Sequence, residues 1–99
     1  MATVSIKLRT DKKPDANGKY PLAIRVYHKK TFYLFFPFRI AEEDWREEAS
    51  RVRASHHNYN LLNDIIQEKF SAVDDAVIIA TSRNRNVAPE RLKKIIEQE

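Results

Sequence analysis

The first forty residues contain three stretches in which apolar and polar side chains alternate. In the first of them Val4, Ile6 and Leu8 alternate with polar residues. A period of two places successive side chains on opposite faces, so each stretch predicts a strand with one buried face. The predicted strands cover residues 3–9, 20–28 and 31–38.

Polar segments separate the predicted strands. The first is a loop in which Asn17-Gly18 is a turn signal, because glycine readily adopts the positive φ that such turns need. Lys29-Lys30 is the predicted connection between the second and third strands, but its residue types are unusual for a two-residue hairpin, so we expect a longer or a strained turn. Pro37 cannot donate to a sheet ladder, so the third strand should end near it or lie at a sheet edge.

The period of the pattern changes in the second half of the chain. Apolar residues recur every three or four positions between Asn58 and Thr81, which predicts one amphipathic helix of about six turns. Trp45 precedes this helix and is expected to fill the core, whereas residues 46–57 are polar and irregular. Pro89 is placed to open a second, short helix. The apolar positions of the long helix are Leu62, Ile65, Ile66, Phe70, Val73, Val77 and Ala80.

These elements predict an α+β fold in one small domain. A three-stranded antiparallel sheet packs one face on the long amphipathic helix, and a short C-terminal helix follows. We expect residues 1–82 to form this domain. Residues 83–99 are expected to be a linker and the beginning of a further helical domain.

Composition narrows the class of protein further. The 99 residues include no cysteine, which excludes a disulfide scaffold and a thiolate metal site and fits a reducing compartment. The longest apolar stretch, residues 32–38, contains a proline and is too short to span a bilayer. The N-terminus has no signal-peptide pattern. We therefore expect a soluble, cytoplasmic protein with no membrane partner.

Positive charge is concentrated in the first forty residues. Residues 1–40 hold nine Lys and Arg against two Asp and Glu, whereas residues 41–99 hold nine against twelve. A concentrated basic surface indicates a polyanionic partner, nucleic acid before an anionic membrane. If the helix covers the apolar face of the sheet, the opposite face, here called the open face, carries three cations, three aromatic rings and no acid. The open face consists of Ser5, Lys7, Arg9, Ala23, Arg25, Tyr27, Tyr33 and Phe35.

The residue types of the open face suit duplex DNA. A sheet is thin enough to enter the major groove, where Arg reads guanine, and Lys pairs with phosphate. Two alternatives stay open: the rings stack on single-stranded bases, or another segment or a protein partner covers them. Four lysines occupy the loops at the sheet ends, where flanking phosphates would lie. They are Lys12, Lys13, Lys29 and Lys30.

The sequence indicates neither a catalytic site nor a metal site. His56-His57 lacks a third ligand at a useful spacing, and His56 is more simply a cap or a packing residue where the long helix starts. One glycine cannot build a phosphate-binding loop. We expect no cofactor and no small-molecule substrate. The acidic cluster is expected to face away from DNA, and it comprises Glu42, Glu43, Asp44, Glu47 and Glu48.

Several short motifs follow one another in a definite order. They are Thr3–Arg9, Asn17–Leu22, Ile24–Val26, Tyr33-Leu34, Phe36, Ile40, Trp45, Arg51-Val52, Ser55-His56 and Asn63. Their order and spacing resemble the N-terminal arm-type DNA-binding domain of tyrosine recombinases, phage-integrase-like proteins of bacterial mobile elements. The resemblance extends from Ala2 to about residue 98.

This resemblance implies a function. Such domains place a three-stranded sheet in the major groove of arm-site repeats. A core-binding domain follows, and then a catalytic domain with an Arg/Lys/His set and a tyrosine nucleophile. The chain is then expected to bind DNA without cutting it, in the nucleoid, with other integrase protomers or an accessory factor as further partners. The contact residues carried over are Lys7, Arg9, Arg25 and Tyr33, and the geometry of the open face adds Tyr27 and Phe35.

Overall fold

The computed structural model describes residues 2–97 and confirms the α+β architecture. Three antiparallel strands form one sheet in the order β1-β2-β3, so β2 is central and both neighbours are edge strands. The strands are β1 (Thr3–Leu8), β2 (Lys19–His28) and β3 (Lys30–Ala41). Two helices follow, α1 (Tyr59–Arg83) and α2 (Pro89–Glu97).

A small two-stranded ribbon connects the sheet to α1. After one 3-10 turn (Glu42–Asp44), β4 (Trp45–Arg46) pairs antiparallel with β5 (Arg51–Val52). The sequence predicts only irregular structure across most of this segment. Strands of two residues are too short to show an alternating pattern.

The third strand continues beyond Pro37, so the prediction that it lies at an edge is confirmed and the predicted end at residue 38 is wrong. Pro21 pairs with Arg39 and Ala23 with Phe35, so β3 has extra residues opposite β2 at this point. Such a β-bulge interrupts the ladder locally. Pro37 lies inside the bulge of an edge strand, where its missing N–H is tolerated.

The tip of the β2–β3 hairpin is strained and anchored. His28 pairs with Lys30, which leaves Lys29 alone at the tip with a φ of 65°. A left-handed conformation costs a residue with a Cβ about 1–2 kcal/mol. Two bonds attach the tip to the α1–α2 loop: His28 Nε2 donates to the carbonyl oxygen of Val87 at 2.8 Å, and Lys29 Nζ to that of Asn86 at 3.3 Å. Sequence reasoning assigned no role to His28, which is buried.

The core lies between one face of the sheet and the two helices. Trp45 is buried in it, as predicted. Ile65 is exposed, contrary to expectation, because it lies about 100° around the helix from the buried Ile66. The largest fully buried side chains are Leu22, Ile24, Val26, Ile40 and Leu92. The buried residues of α1 are Ile66, Val73, Ala76 and Val77.

A hydrogen bond to the side chain of His56 lies at the start of α1. Asn58 occupies the N-cap position, but its side chain makes no capping bond. The Nδ1 atom of His56 instead accepts a bond from the Asn58 backbone N–H at 3.0 Å, which confirms His56 as a residue of the helix start. Across residues 2–97, no group of three or more His, Cys, Asp and Glu could hold a metal ion. In the same part of the chain, no helix is long and apolar enough to cross a membrane.

Asn63 joins the ribbon to α1. Its Oδ1 accepts from the backbone N–H of Val52 at 2.8 Å, and its Nδ2 donates to the Val52 carbonyl oxygen at 3.1 Å. One amide therefore satisfies both backbone groups of a buried strand residue, and removing it would leave both without these bonds.

We expect Asn63→Ala to lower the free energy of unfolding by about 1–2 kcal/mol, because the Val52 backbone groups lose their partners. Chemical denaturation monitored by circular dichroism measures this change. Asn60→Ala is the matched control, since Asn60 is exposed on the same helix, and its effect should stay within about 0.5 kcal/mol. Equal stabilities for the two variants would contradict the assignment.

Candidate nucleic-acid interface

The sheet register brings the open-face residues together in rows across the three strands. Strand β2 supplies the centre of each row, so the central positions are Ala23, Arg25 and Tyr27. One row is Ser5, Arg25 and Tyr33, and the next is Lys7, Ala23 and Phe35. The predicted alternation thus does place these side chains on one surface.

Arg9 is held in place on this surface. Its Cζ lies 3.8 Å from the centroid of the Tyr33 ring. Its Nε and Nη2 atoms donate to the two carboxylate oxygens of Asp11 at 2.8 and 2.7 Å. Only 13% of the Arg9 side chain is exposed. The charge of Arg9 is therefore already compensated, in contrast to the free cation that the sequence suggested.

Ala23 is the one open-face residue that is not accessible there. It was expected to be displayed, but it is fully buried. The register sets Ala23 between Lys7 and Phe35. Arg9, which follows β1, contacts Tyr33 of β3 diagonally across the same face. A methyl group flanked by larger side chains is covered even on a face without a helix.

Arg25 differs from Arg9 in its surroundings. It lies at the centre of the open face, between Ser5 and Tyr33, and is half-buried. Within residues 2–97, its guanidinium has no carboxylate within 4 Å and no side-chain hydrogen bond. Of the two arginines predicted to contact DNA, Arg25 is therefore the one whose guanidinium N–H groups are free to bind a ligand.

Lys7 and the acidic cluster meet at the β1 edge. The Nζ atom of Lys7 lies 3.6 Å from a carboxylate oxygen of Glu47, and both side chains are about half exposed. Glu47 also accepts a bond from Trp45 Nε1 at 2.8 Å. Glu47, a member of the acidic cluster that was expected to face away from DNA, therefore reaches the edge of the open face. Exposed pairs of this kind contribute about 0–1 kcal/mol, so Lys7 can exchange this partner for another anion.

The loop lysines lie at opposite ends of the sheet. Lys12 and Lys13 are exposed in the β1–β2 loop. At the other end, Lys30 lies 3.9 Å from a carboxylate oxygen of Glu90, with both side chains more than 70% exposed. Lys29 is held by the backbone bond described above. Both ends of the open face therefore carry accessible positive charge.

Two aromatic rings of the open face are accessible to a partner. Tyr27 is 44% and Phe35 is 47% exposed, whereas Tyr33 is half-buried beneath Arg9. The Tyr33 and Phe35 rings lie 6.3 Å apart between centroids. Exposed rings among cations mark a surface suited to binding rather than to hydration alone.

The contact with Arg9 changes the acidity of Asp11. The hydrogen bonds from the guanidinium lower the pKa of this exposed carboxyl from 3.8 to about 2. A carboxyl whose pKa is lowered on folding stabilises the fold above its unfolded pKa, near 3.8. That stabilisation is lost as the pH falls through about 2.

We therefore expect the Asp11 carboxyl carbon to titrate near pH 2 in an NMR titration, and the Tyr33 ring resonances to shift with it as Arg9 is released. Arg9→Met should return the pKa of Asp11 toward 3.8. A wild-type midpoint near 3.8 would show that the pair does not persist in solution.

The comparison with protein families agrees with this geometry. A family model described as Arm DNA-binding domain matches residues 6–93. The chain belongs to the Arm DNA-binding domain family. This is the arm-type DNA-binding domain of phage integrase-like recombinases, so the predicted resemblance is confirmed. An arm domain binds DNA and is by itself non-catalytic. No curated protein and no solved structure matches the chain.

One cation of this arm domain was missed by sequence reasoning. Arg39 is exposed on β3 and continues the outward series of Phe35 and Pro37. The sequence did contain a signal for Arg39, because this residue continues the alternation of inward-facing and outward-facing side chains on β3. Ending the predicted strand at residue 38 removed Arg39 from consideration.

Proposed function

We propose that this arm domain recognises specific sequences in duplex DNA, with the open face in the major groove. It would serve as the N-terminal module of a site-specific tyrosine recombinase of a mobile element and bind that element's arm sites. The observation that carries the proposal is Arg25, an arginine with unengaged donors at the centre of a basic sheet face in a DNA-binding family. Arg is the side chain that most often reads guanine in the major groove.

The dimensions of the sheet support this placement. From Pro21 to His28, β2 spans about 23 Å at about 3.3 Å per residue. The major groove is about 12 Å wide, so a strand lying across it extends past both edges. The lysines at the two sheet ends would then approach the two flanking phosphate backbones. Base contacts would come from the middle of the face, at Arg25, Lys7 and Tyr33.

The proposal extends to the longer protein. Cleavage and joining would belong to a further domain with an Arg/Lys/His set and a tyrosine nucleophile, toward which residues 83–99 lead. Neighbouring protomers or an accessory factor would meet the domain on adjacent arm sites. The domain would act in the cytoplasm, on the DNA of the nucleoid.

Titration of the domain with mixed-sequence duplex DNA at two salt concentrations tests the proposal. We expect NMR amide shifts at Lys7, Arg25 and Tyr33, and an affinity that falls steeply with salt because bound phosphates release counterions. The absence of shifts at low salt would refute it.

The exposed Phe35 and Tyr27 rings make two other results informative in the same experiment. Tighter binding to single strands than to duplex would favour base stacking on these rings. Salt-independent association of the domain with itself or with a second protein, without DNA affinity, would favour protein docking on the open face.

A further inference from the structure

A basic groove lies beside the open face where the β-bulge bends β3. Its volume is about 500 Å³. One wall comes from the β1–β2 loop and the other from the bulge itself, so two segments distant in sequence form it. The lining residues are Lys12, Lys13, Pro21, Phe35, Phe36, Pro37, Phe38 and Arg39.

The charged residues of this groove all have one sign. Lys12, Lys13 and Arg39 contribute three cations, and no carboxylate belongs to the lining. Within the described part of the chain, Arg39 has no carboxylate within 4 Å. Such a concentration of positive charge favours an anion.

Asp15, whose carboxylate feels the charge of Arg39, already has hydrogen-bond partners of its own. One carboxylate oxygen of Asp15 accepts the backbone N–H groups of Asn17 and Lys19, each at 2.9 Å. The bond from Lys19 is the largest cause of the lowered pKa of Asp15, and the charge of Arg39 contributes to it. Asp15 therefore holds the turn before β2, and the donors of Arg39 stay available to an external ligand.

The apolar part of the groove indicates which anion fits. Phe35 and Pro37 are exposed beside the cations. A free inorganic anion gains nothing from such a surface, whereas the deoxyribose of a nucleic acid can pack on it while its phosphate meets the cations. The combination matches a sugar–phosphate unit.

We propose that Arg39, together with Lys12 and Lys13, binds a backbone phosphate of duplex DNA, with the adjacent deoxyribose packed on Phe35 and Pro37. The inference rests on the proposed function and adds to it a phosphate site at the bulge end of the open face. Arg39 fixes the position of the sheet on the duplex without reading a base.

Arg39→Gln tests the site against Lys94→Gln, which removes one charge from an exposed position on α2. Binding of several duplexes of different sequence is measured over a range of salt concentrations. For Arg39→Gln we expect a loss on the order of tenfold, similar for every sequence, and a slope of log K against log salt smaller by about 0.9. Lys94→Gln should leave the slope unchanged, and Arg39→Lys should restore most of it.

The outcomes separate this inference from the proposed function. If the wild-type domain binds duplex with the expected salt dependence but Arg39→Gln behaves like Lys94→Gln, the phosphate site is wrong and the function stands. A loss confined to some sequences would make Arg39 a base reader and overturn the inference. Saturable Arg39 shifts with inorganic phosphate but none with duplex would also overturn it. A wild-type domain that binds no duplex would refute the proposed function itself.

Discussion

Arg25→Ala is expected to weaken binding to a preferred duplex by about 5- to 150-fold, equivalent to about 1–3 kcal/mol, and to flatten the preference among sequences. The reason is its position: Arg25 is central in the sheet, with Ser5 and Tyr33 beside it and no carboxylate within 4 Å in residues 2–97. A bidentate contact to guanine accounts for a loss of this size. Selection from a randomised duplex library, followed by titration of the selected and a scrambled duplex, measures both effects.

A loop lysine provides the comparison. Lys29→Asn removes one charge at the hairpin tip, and asparagine tolerates the φ of 65° found there. We expect this variant to weaken all duplexes alike and to lower the salt slope, as the loss of a phosphate contact does. An equal loss on every duplex for Arg25→Ala as well would mean that Arg25 meets phosphate and reads no base.

Arg9 shows why residue type alone does not rank the contacts of the open face. Sequence reasoning treats Arg9 and Arg25 alike, since both alternate outward from a strand. Asp11 lies two residues from Arg9, so that pair could have been anticipated. The Tyr33 ring beneath the guanidinium could not, because β1 and β3 come near each other only through the register of β2. Tertiary pairing decides which arginine has free donors.

The fold was predictable where the signal is local. A period of two needs only a few neighbouring residues, so the three strands and their shared open face follow from the sequence. The ribbon at Trp45 does not, since its two-residue strands depend on Asn63, which is 11 residues from Val52 in sequence. The predicted length of β3 was wrong for a related reason. A proline normally ends a strand, and Pro37 is tolerated here only because it lies in the bulge.

The α1–α2 loop ties the far end of the sheet to the helices. His28 is buried at the end of β2 and bonds to Val87, just before α2 begins. The second helix then places Leu92 and Ile96 in the core cluster. Residues 83–99 were expected to lead into a further domain, and the family match continues into α2, to residue 93. Because α2 lies within the family match and contributes to the core, we expect it to stabilise the arm domain.

Leu92→Ala is expected to lower the free energy of unfolding of the whole domain by about 2–5 kcal/mol. Leu92 is fully buried, so truncation removes apolar contacts and leaves a cavity. If α2 packs on the arm domain as a structural part of it, the sheet and both helices should unfold in one transition at a lower denaturant concentration. Denaturation followed by far-ultraviolet circular dichroism and by Trp45 fluorescence tests this, because the tryptophan reports on the core beside the sheet.

Leu61→Ala is the matched control, since Leu61 has the same side chain on α1 but is 59% exposed. Its effect should stay within about 0.5 kcal/mol. If Leu92→Ala shifted only the helical signal and left the Trp45 transition in place, α2 would be an independent appendage, and its burial would not stabilise the sheet. Coincident, lowered transitions would instead make α2 part of the unit that presents the open face.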